Sequence, residues 1–266
     1  MKTTKRHLLA LAAGTALAAW GAVAHAQSAL DDVLKAKTIK IAVPTDYPPY
    51  GFVGLDLQPQ GLDVDMAKLI ADKLGVKLQM VPVISANRIP YVQTKQVQLV
   101  ISTLGKNPER EKVIDFTHAY SPFFQAVYGP KSLSIKTFAD LGGKTIAVAK
   151  GAMEEQELAK VGPASMDFKR YEDQAATTAA FVAGQAQVIA TSVSNAGLMA
   201  QKNPQLGAEF KLLIKDSPNF IGVAKGEDAL RAKVNEIIVA AKADGTLDKM
   251  SQKWLGRPAG NLPLGQ

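Results

Sequence analysis

The 266-residue chain contains no cysteine. That absence excludes disulfides, thiolate metal sites, a cysteine nucleophile and a cysteine-borne lipid anchor. Histidine is almost as scarce. His7, His25 and His118 are the three present, and two of them fall in a segment read below as removed. A multi-histidine metal site is therefore excluded, and a serine–histidine pair would have to use His118. Aromatic residues make up 6% and charged residues only 21%, against 47% hydrophobic. That balance argues against a disordered or coiled-coil chain and for a buried core. The length fits one large domain or two modest ones.

The first 26 residues read as a secretory signal peptide. Lys2, Lys5 and Arg6 form a positive start, Leu8 to Val23 is uncharged and rich in alanine and leucine, and Ala24-His25-Ala26 offers a small-residue cleavage site before Gln27. The apolar run is short for a bilayer span, which needs ~20 residues, and no later segment is longer. Cleavage leaves 28 basic against 24 acidic side chains, lowering the formal charge from +7 to +4. Basic residues are spread out and not interleaved with aromatics, so nucleic-acid binding is not expected. An exported chain with no lipid anchor needs another barrier to retain it. An outer membrane supplies one, which points to the periplasm.

Short apolar runs then alternate with amphipathic stretches, the pattern of an α/β fold. Ile39–Val43 reads as a buried strand, and Asp63-Val64-Asp65 opens a helix with Met66, Leu69, Ile70 and Leu74 at helical spacing. Gly75 is its stop signal. Residues 76–83 and 97–101 read as strands, with a short helix between them, capped by Asn87 and running to Thr94. Asn107-Pro108-Glu109-Arg110 combines a capping side chain, a proline at the first helical position and an acid in the first turn. The logic then repeats: a strand at 145–149, a helix start at Met153, a helix from about Asp173 to Ala183 and a strand at 186–190. Leu230, Val234, Ile237, Ile238 and Ala241 mark an amphipathic helix, and a last one from Thr246 to Trp254 stops at Gly256. There is one internal echo. Gln96 to Thr103 and Gln185 to Ser192 are both glutamine-flanked apolar strands that end in two hydroxyl residues. In open α/β sheets ligands bind beyond the carboxyl ends of strands, so two similar halves would offer these ends to one cleft.

Few catalytic motifs survive inspection. Gly143-Lys144-Thr145 resembles the tail of a phosphate loop, but Phe138 stands where the loop needs glycine, so Gly142-Gly143 reads as a turn. No dinucleotide fingerprint, nucleophile elbow or EF-hand loop is present, and His118 reads as structural or surface-exposed. Arg110 is more informative. A cation in the first turn of a helix opposes the helix dipole. Either an anion is held there against the guanidinium and nearby backbone N–H groups, or the arginine is solvated and paired with Glu109 or Glu111. Tyr47-Pro48-Pro49-Tyr50 is a stiff loop that either walls a ligand or packs on its own half. Glu154 and Glu155 are ordinary residues for a helix start.

Taken together, Tyr47-Pro48-Pro49-Tyr50, Gly61-Leu62-Asp63-Val64-Asp65, Ile101 through Arg110, Asp115 through Tyr120, Gly143 through Val148, Asp244-Gly245-Thr246 and Lys253 through Gly256 resemble the extracellular solute-binding proteins of polar amino-acid type that serve ABC importers. The resemblance implies a type II periplasmic binding fold: two α/β lobes joined by two crossing hinge segments. Lobe 1 would hold residues 27–121 and 221–266, lobe 2 residues 122–220. It implies a monomer without cofactor or metal. Hinge closure would trap a carboxylate-bearing ligand, most simply an amino acid, and an inner-membrane ABC permease would recognise the closed form. By position, Tyr47 corresponds to an aromatic wall and Ser102, Thr103 and Gly105 to a ligand-contacting segment. Arg110 corresponds to the grip on the α-carboxylate, and Gly151 and Glu154 to the contacting turn of the second lobe.

The chain departs from the family pattern at several positions. Ser192 stands where an aspartate usually takes the α-amino group, Ser85 where an aromatic often stacks, Pro44 where some basic-ligand binders have an acid, and Asn107 where threonine is common. The carboxylate grip is retained and the ammonium partner is missing. Either Glu154 replaces it, or the ligand is an organic acid without an amine. An alternative on the same fold is a dehydratase of the cyclohexadienyl type, with Glu154 as proton donor.

Overall fold

A computed structural model describes residues 28–263; the signal-peptide reading of residues 1–26 lies outside them. The elements run α1 (Ala29–Ala36), β1 (Thr38–Val43), β2 (Asp46–Tyr47), β3 (Gly51–Val53), β4 (Pro59–Gln60), α2 (Leu62–Leu74), β5 (Lys77–Pro82), α3 (Arg88–Gln93), β6 (Leu99–Leu104), α4 (Pro108–Glu111) and β7 (Ile114–Ser121). They continue with β8 (Phe124–Pro130), β9 (Thr145–Ala149), α5 (Met153–Val161), β10 (Asp167–Tyr171), α6 (Gln174–Val182), β11 (Val188–Ser192), α7 (Val193–Lys202), β12 (Ala208–Asp216), β13 (Asn219–Ala224), α8 (Asp228–Ala243) and α9 (Thr246–Leu255). No described helix is long and apolar enough to cross a membrane.

Two five-stranded sheets share one plan. The first has the order β5-β1-β6-β13-β7 and the second β10-β9-β11-β8-β12. In each, the first three strands are parallel and the fourth, β13 or β8, runs antiparallel to both its neighbours. The glutamine-flanked echo falls on β6 and β11, the central strand of each sheet. The fold is the two-lobe α/β class expected from the sequence. The chain leaves the first sheet after Ser121 and returns at Asn219. Phe220 thus already pairs with β6 and β7, just before the boundary the sequence reading placed at residue 221.

Packing follows the periodicities. In β9, Ile146 and Val148 face Leu141 and Leu158, while Ala147 faces Phe181 and Met199 on the other side, as the two-residue repeat of a strand requires. In the first lobe Ile39, Ile41, Leu99 and Ile101 share one core with Val64 and Ile70 of α2, which lies on β1 and β6, and with Leu230, Val234 and Ile238 of α8, which lies on β7. Gly75 and Gly256 end α2 and α9 in the left-handed conformation, the role glycine performs without a Cβ clash. One local expectation is corrected. Asn87 does not cap α3: its backbone is already helical and its side chain makes no capping bond, because a 3₁₀ turn over Ser85–Asn87 leads directly into the helix.

Candidate functional site

The site is assembled where β1, β6 and β11 end. Beyond β6, Asn107 accepts a hydrogen bond from the Arg110 backbone N–H at 2.9 Å, so the short helix α4 starts where its cap and Pro108 dictate. This places Arg110 inward. The residue is only 6% exposed. Its Nη1 donates to the Gly105 carbonyl at 2.9 Å and its Nη2 to the Gly151 carbonyl of the second lobe at 3.3 Å. The solvated alternative fails: Glu111 pairs with Lys106, and Glu109 faces Lys160. Burial, then the neighbouring Arg88 charge, lowers the Arg110 pKa to about 10, with Glu154 and Glu157 opposing the shift.

Arg88 is the residue the sequence reading missed. It opens α3 and is 3% exposed. Its Nε donates to Ser102 Oγ at 3.1 Å and its Nη2 to Thr103 Oγ1 at 3.0 Å. Both hydroxyl oxygens accept from Arg88, so each retains its own proton for another acceptor. Thr103 has φ +43°, a costly conformation for a β-branched residue. Its backbone N–H is held by Asp63 Oδ2 at 2.8 Å, while Asp63 Oδ1 accepts from the Tyr120 hydroxyl at 2.7 Å. Desolvation raises the Asp63 pKa to about 7, with Tyr120, Thr103 and Arg88 pulling against it. In sequence Asp63 was indistinguishable from an ordinary acid in a first helical turn.

The second lobe meets these groups closely. Gly151 has φ +75°, and a Cβ there would stand 3.0 Å from Ala86 Cα across the cleft. At Gly105 a Cβ would lie 2.7 Å from Met153 Cε. Gly151 is held to glycine by its left-handed backbone and by the Ala86 backbone opposite, whereas at Gly105 the flexible end of Met153 could give way. Gly105 offers its carbonyl to Arg110 as an internal brace, where the sequence reading expected a ligand contact. Glu154 is buried in the first turn of α5. Burial pushes its carboxyl above the usual range, and Arg88, Arg110 and Tyr47 recover part of that shift.

Tyr47 reconciles both earlier alternatives. Its ring packs on Tyr50 and Phe123, with centroids 5.5 and 6.5 Å away, so it sits on its own half. Its hydroxyl nevertheless reaches the other lobe. It accepts from the Ser192 N–H at 2.9 Å, lies 3.1 Å from Thr191 Oγ1 and faces Glu154 Oε1 at 3.5 Å. Ser192 Oγ is occupied in accepting from the Asn195 N–H at 3.1 Å, as the cap of α7. Thus Arg110, Gly151, Glu154, Tyr47 and Ser192 converge on one interlobe region, with Ser102 and Thr103 reaching it through Arg88. His118 lies apart, half-buried on β7, its backbone N–H bonded to Asn235. A cleft of about 580 Å³ opens beside Arg110, lined by Ser85, Ala86, Ile89, Gly151 and Gln156. Among the described residues, no group of three or more His, Asp or Glu is placed to hold a metal ion.

The sequence pattern that defines the bacterial extracellular solute-binding proteins, family 3, matches residues 39–257. The ABC transporter glutamine-binding protein of Bacillus subtilis strain 168 is 30% identical over 200 residues, covering 74% of this chain and 72% of the relative. An ancestral arginine-binding protein bound to arginine superposes with TM-score 0.78 at 31% identity, covering 83% of this chain and 99% of the other. An ancestral amino acid-binding protein described as a precursor of cyclohexadienyl dehydratase superposes with TM-score 0.76 at 30% identity, covering 85% and 99%.

Proposed function

The chain belongs to the bacterial extracellular solute-binding proteins, family 3, and from that premise we propose that it captures a small carboxylate-bearing solute, an amino acid, between its two lobes for an inner-membrane ABC permease. The setting is the periplasm, reached through the N-terminal segment, and the working unit is a monomer whose lobes divide at the two crossings between the sheets. The observation that supports this best is Arg110. It is a buried, permanently charged fork that touches both lobes through Gly105 and Gly151 and has no ion-pair partner among the described residues. A ligand carboxylate supplies the missing acceptor in the geometry that guanidinium prefers. Because the same side chain bridges the lobes, binding and closure are one event. Closure excludes water and strengthens every charged contact inside.

A thermal-shift screen of the mature protein tests the assignment. A ligand that binds only the folded state adds RT ln(1 + [L]/Kd) to stability, about 2.7 kcal/mol at a hundredfold excess over Kd. Some amino acids should raise Tm by several degrees, while their carboxamide derivatives, lacking the α-carboxylate, should not. A panel in which no carboxylate-bearing solute shifts Tm would reject the reading.

Glu154 is assigned the ammonium contact. The Ser192 hydroxyl is neutral and already accepts the cap bond of α7, whereas Glu154 is an acid buried against the Tyr47 hydroxyl and acted on by both arginines. Glu154→Gln should weaken binding of an α-amino acid about tenfold or more, and leave the corresponding des-amino acid almost unaffected. Equal affinity for the α-amino acid before and after the change would instead favour an organic acid lacking the amine. The same buried carboxyl motivates a second reading, a dehydratase of the cyclohexadienyl type. A raised pKa suits a proton donor, and one structural neighbour is described as a precursor of such an enzyme. Turnover of prephenate-like acids, abolished in Glu154→Gln, is the observation that would establish it.

A further inference from the structure

Two buried cations share this site, and neither has a carboxylate in direct contact among the described residues. Arg88 makes two hydrogen bonds, both to neutral hydroxyls. Neither Arg88 nor Arg110 has an ion-pair partner among the described residues. Both guanidiniums rest on the segment that ends β6, Arg88 on the Ser102 and Thr103 hydroxyls and Arg110 on the Gly105 carbonyl, and the charges of both act on Glu154. Other acids act on the pair from a distance, Asp63 and Asp46 on Arg88 and Glu157 on Arg110, but each is held elsewhere: Asp63 by the Thr103 N–H and the Tyr120 hydroxyl, Asp46 by the Gln174 N–H at 2.8 Å, and Glu157 by Lys160 and Lys215. An amino acid with a neutral side chain has one carboxylate to offer, so one of the two guanidiniums would remain in a desolvated place without a carboxylate in direct contact.

The surroundings of Arg88 also have donors to spare. Ser102 and Thr103 accept from Arg88 and so direct their own protons elsewhere. Ser85, at the start of the turn that leads into α3, is 5% exposed, and its Oγ has no hydrogen-bond partner. It lines the same cleft as Arg110. Buried polar groups are ordinarily satisfied, so this hydroxyl independently marks a place for a polar ligand atom.

We propose that Arg88, with Ser102, Thr103 and Ser85, forms a second anion subsite facing Arg110, and that the solute carries two carboxylates: an acidic amino acid or a short dicarboxylic acid. This rests on the carboxylate grip assigned to Arg110 above. Calorimetry at pH 7 with matched pairs tests it: L-glutamate against L-glutamine, L-aspartate against L-asparagine, succinate against succinamate. The acid of at least one pair should bind at least about 30-fold more tightly than its amide, the discrimination expected of a desolvated charge pair. The amino-acid and succinate arms separate the two kinds of diacid. Arg88→Gln and Arg88→Lys should each erode that preference, with the lysine variant keeping more of it. Because a buried arginine is being replaced, each variant's melting temperature without ligand is measured alongside. The preference of the unaltered protein decides the matter even if a variant unfolds. Amides binding as tightly as their acids, with affinity still lost in Arg110→Ala, would overturn the second subsite and leave the single grip standing. Failure of every carboxylate to bind would overturn both.

Discussion

Replacing Arg110 with alanine should weaken ligand binding by roughly 2–5 kcal/mol, about 30-fold to several thousandfold in Kd. Two losses combine. The ligand carboxylate loses a bidentate partner in a region from which closure excludes water, and the closed form loses the bond from Nη2 to the Gly151 carbonyl that joins the lobes. Arg110→Lys separates charge from shape. An ammonium keeps the positive charge but not the planar fork, so its affinity should fall between those of the parent and the alanine variant. The ligand-free protein should respond differently. Removing a buried cation that has no carboxylate partner relieves a desolvation cost, so the melting temperature without ligand should stay level or rise while the ligand-induced shift disappears. Calorimetry and melting curves on the same samples check both halves. Unchanged affinity in Arg110→Ala would show that the guanidinium is structural, a brace between the Gly105 and Gly151 carbonyls.

Much of this arrangement was legible in the sequence because local chemistry left one choice. Asn107 with Pro108 allows a helix to begin in one register, and that register makes Arg110 an inward third residue. Gly75 and Gly256 mark left-handed stops that other residues adopt only at a cost. The echo between Gln96–Thr103 and Gln185–Ser192 reported true equivalence, since both segments are central strands. What stayed hidden had no local signature. The two- and three-residue strands β2, β3 and β4 are too short to show a period. β13 is buried on both faces, so the alternation that reveals a half-exposed strand is missing. Arg88 posed the same question as Arg110, a cation at a helix start. Nothing local singles it out, and the 3₁₀ turn that leads into its helix depends on tertiary packing. Ser192 carries a duty that its place in the family pattern does not show. Besides the ligand contact its position suggests, its oxygen caps α7.

Asp63 should make the protein less stable as pH rises from about 4 to about 7. Its carboxyl is fully buried, and its folded-state pKa is about 7 against an ordinary 3.8. Between those values the folded chain binds more protons than the unfolded one, so unfolding releases protons and stability falls with rising pH. The contribution is complete below the unfolded value and lost once pH passes the folded one. A shift of this size corresponds to about 4 kcal/mol as an order of magnitude. Asp46 and Glu154, also raised by burial, act in the same direction. Asp115 and Glu227, which are lowered by Lys225 and Lys95 against the opposing effect of burial, exert their opposite effect at lower pH. Urea unfolding at pH 4.5, 6 and 7.5 measures the slope, and Asp63→Asn isolates its source. The amide is neutral throughout and still accepts one of the two bonds that now reach Asp63 from Thr103 and Tyr120. It should therefore cost about 1 kcal/mol at pH 4.5, approach or exceed the parent at pH 7.5, and flatten the profile between. A constant difference between the two proteins across that range would show that Asp63 ionises like an exposed carboxylate. The consequence reaches the site, because Asp63 fixes the strained Thr103 beside Arg88 and is itself held down by the Arg88 charge. An anion seated on Arg88 neutralises that charge and favours protonated Asp63. Binding near pH 7 should then take up protons, seen in calorimetry as a binding enthalpy that changes with the ionisation enthalpy of the buffer, and Asp63→Asn should reduce that dependence.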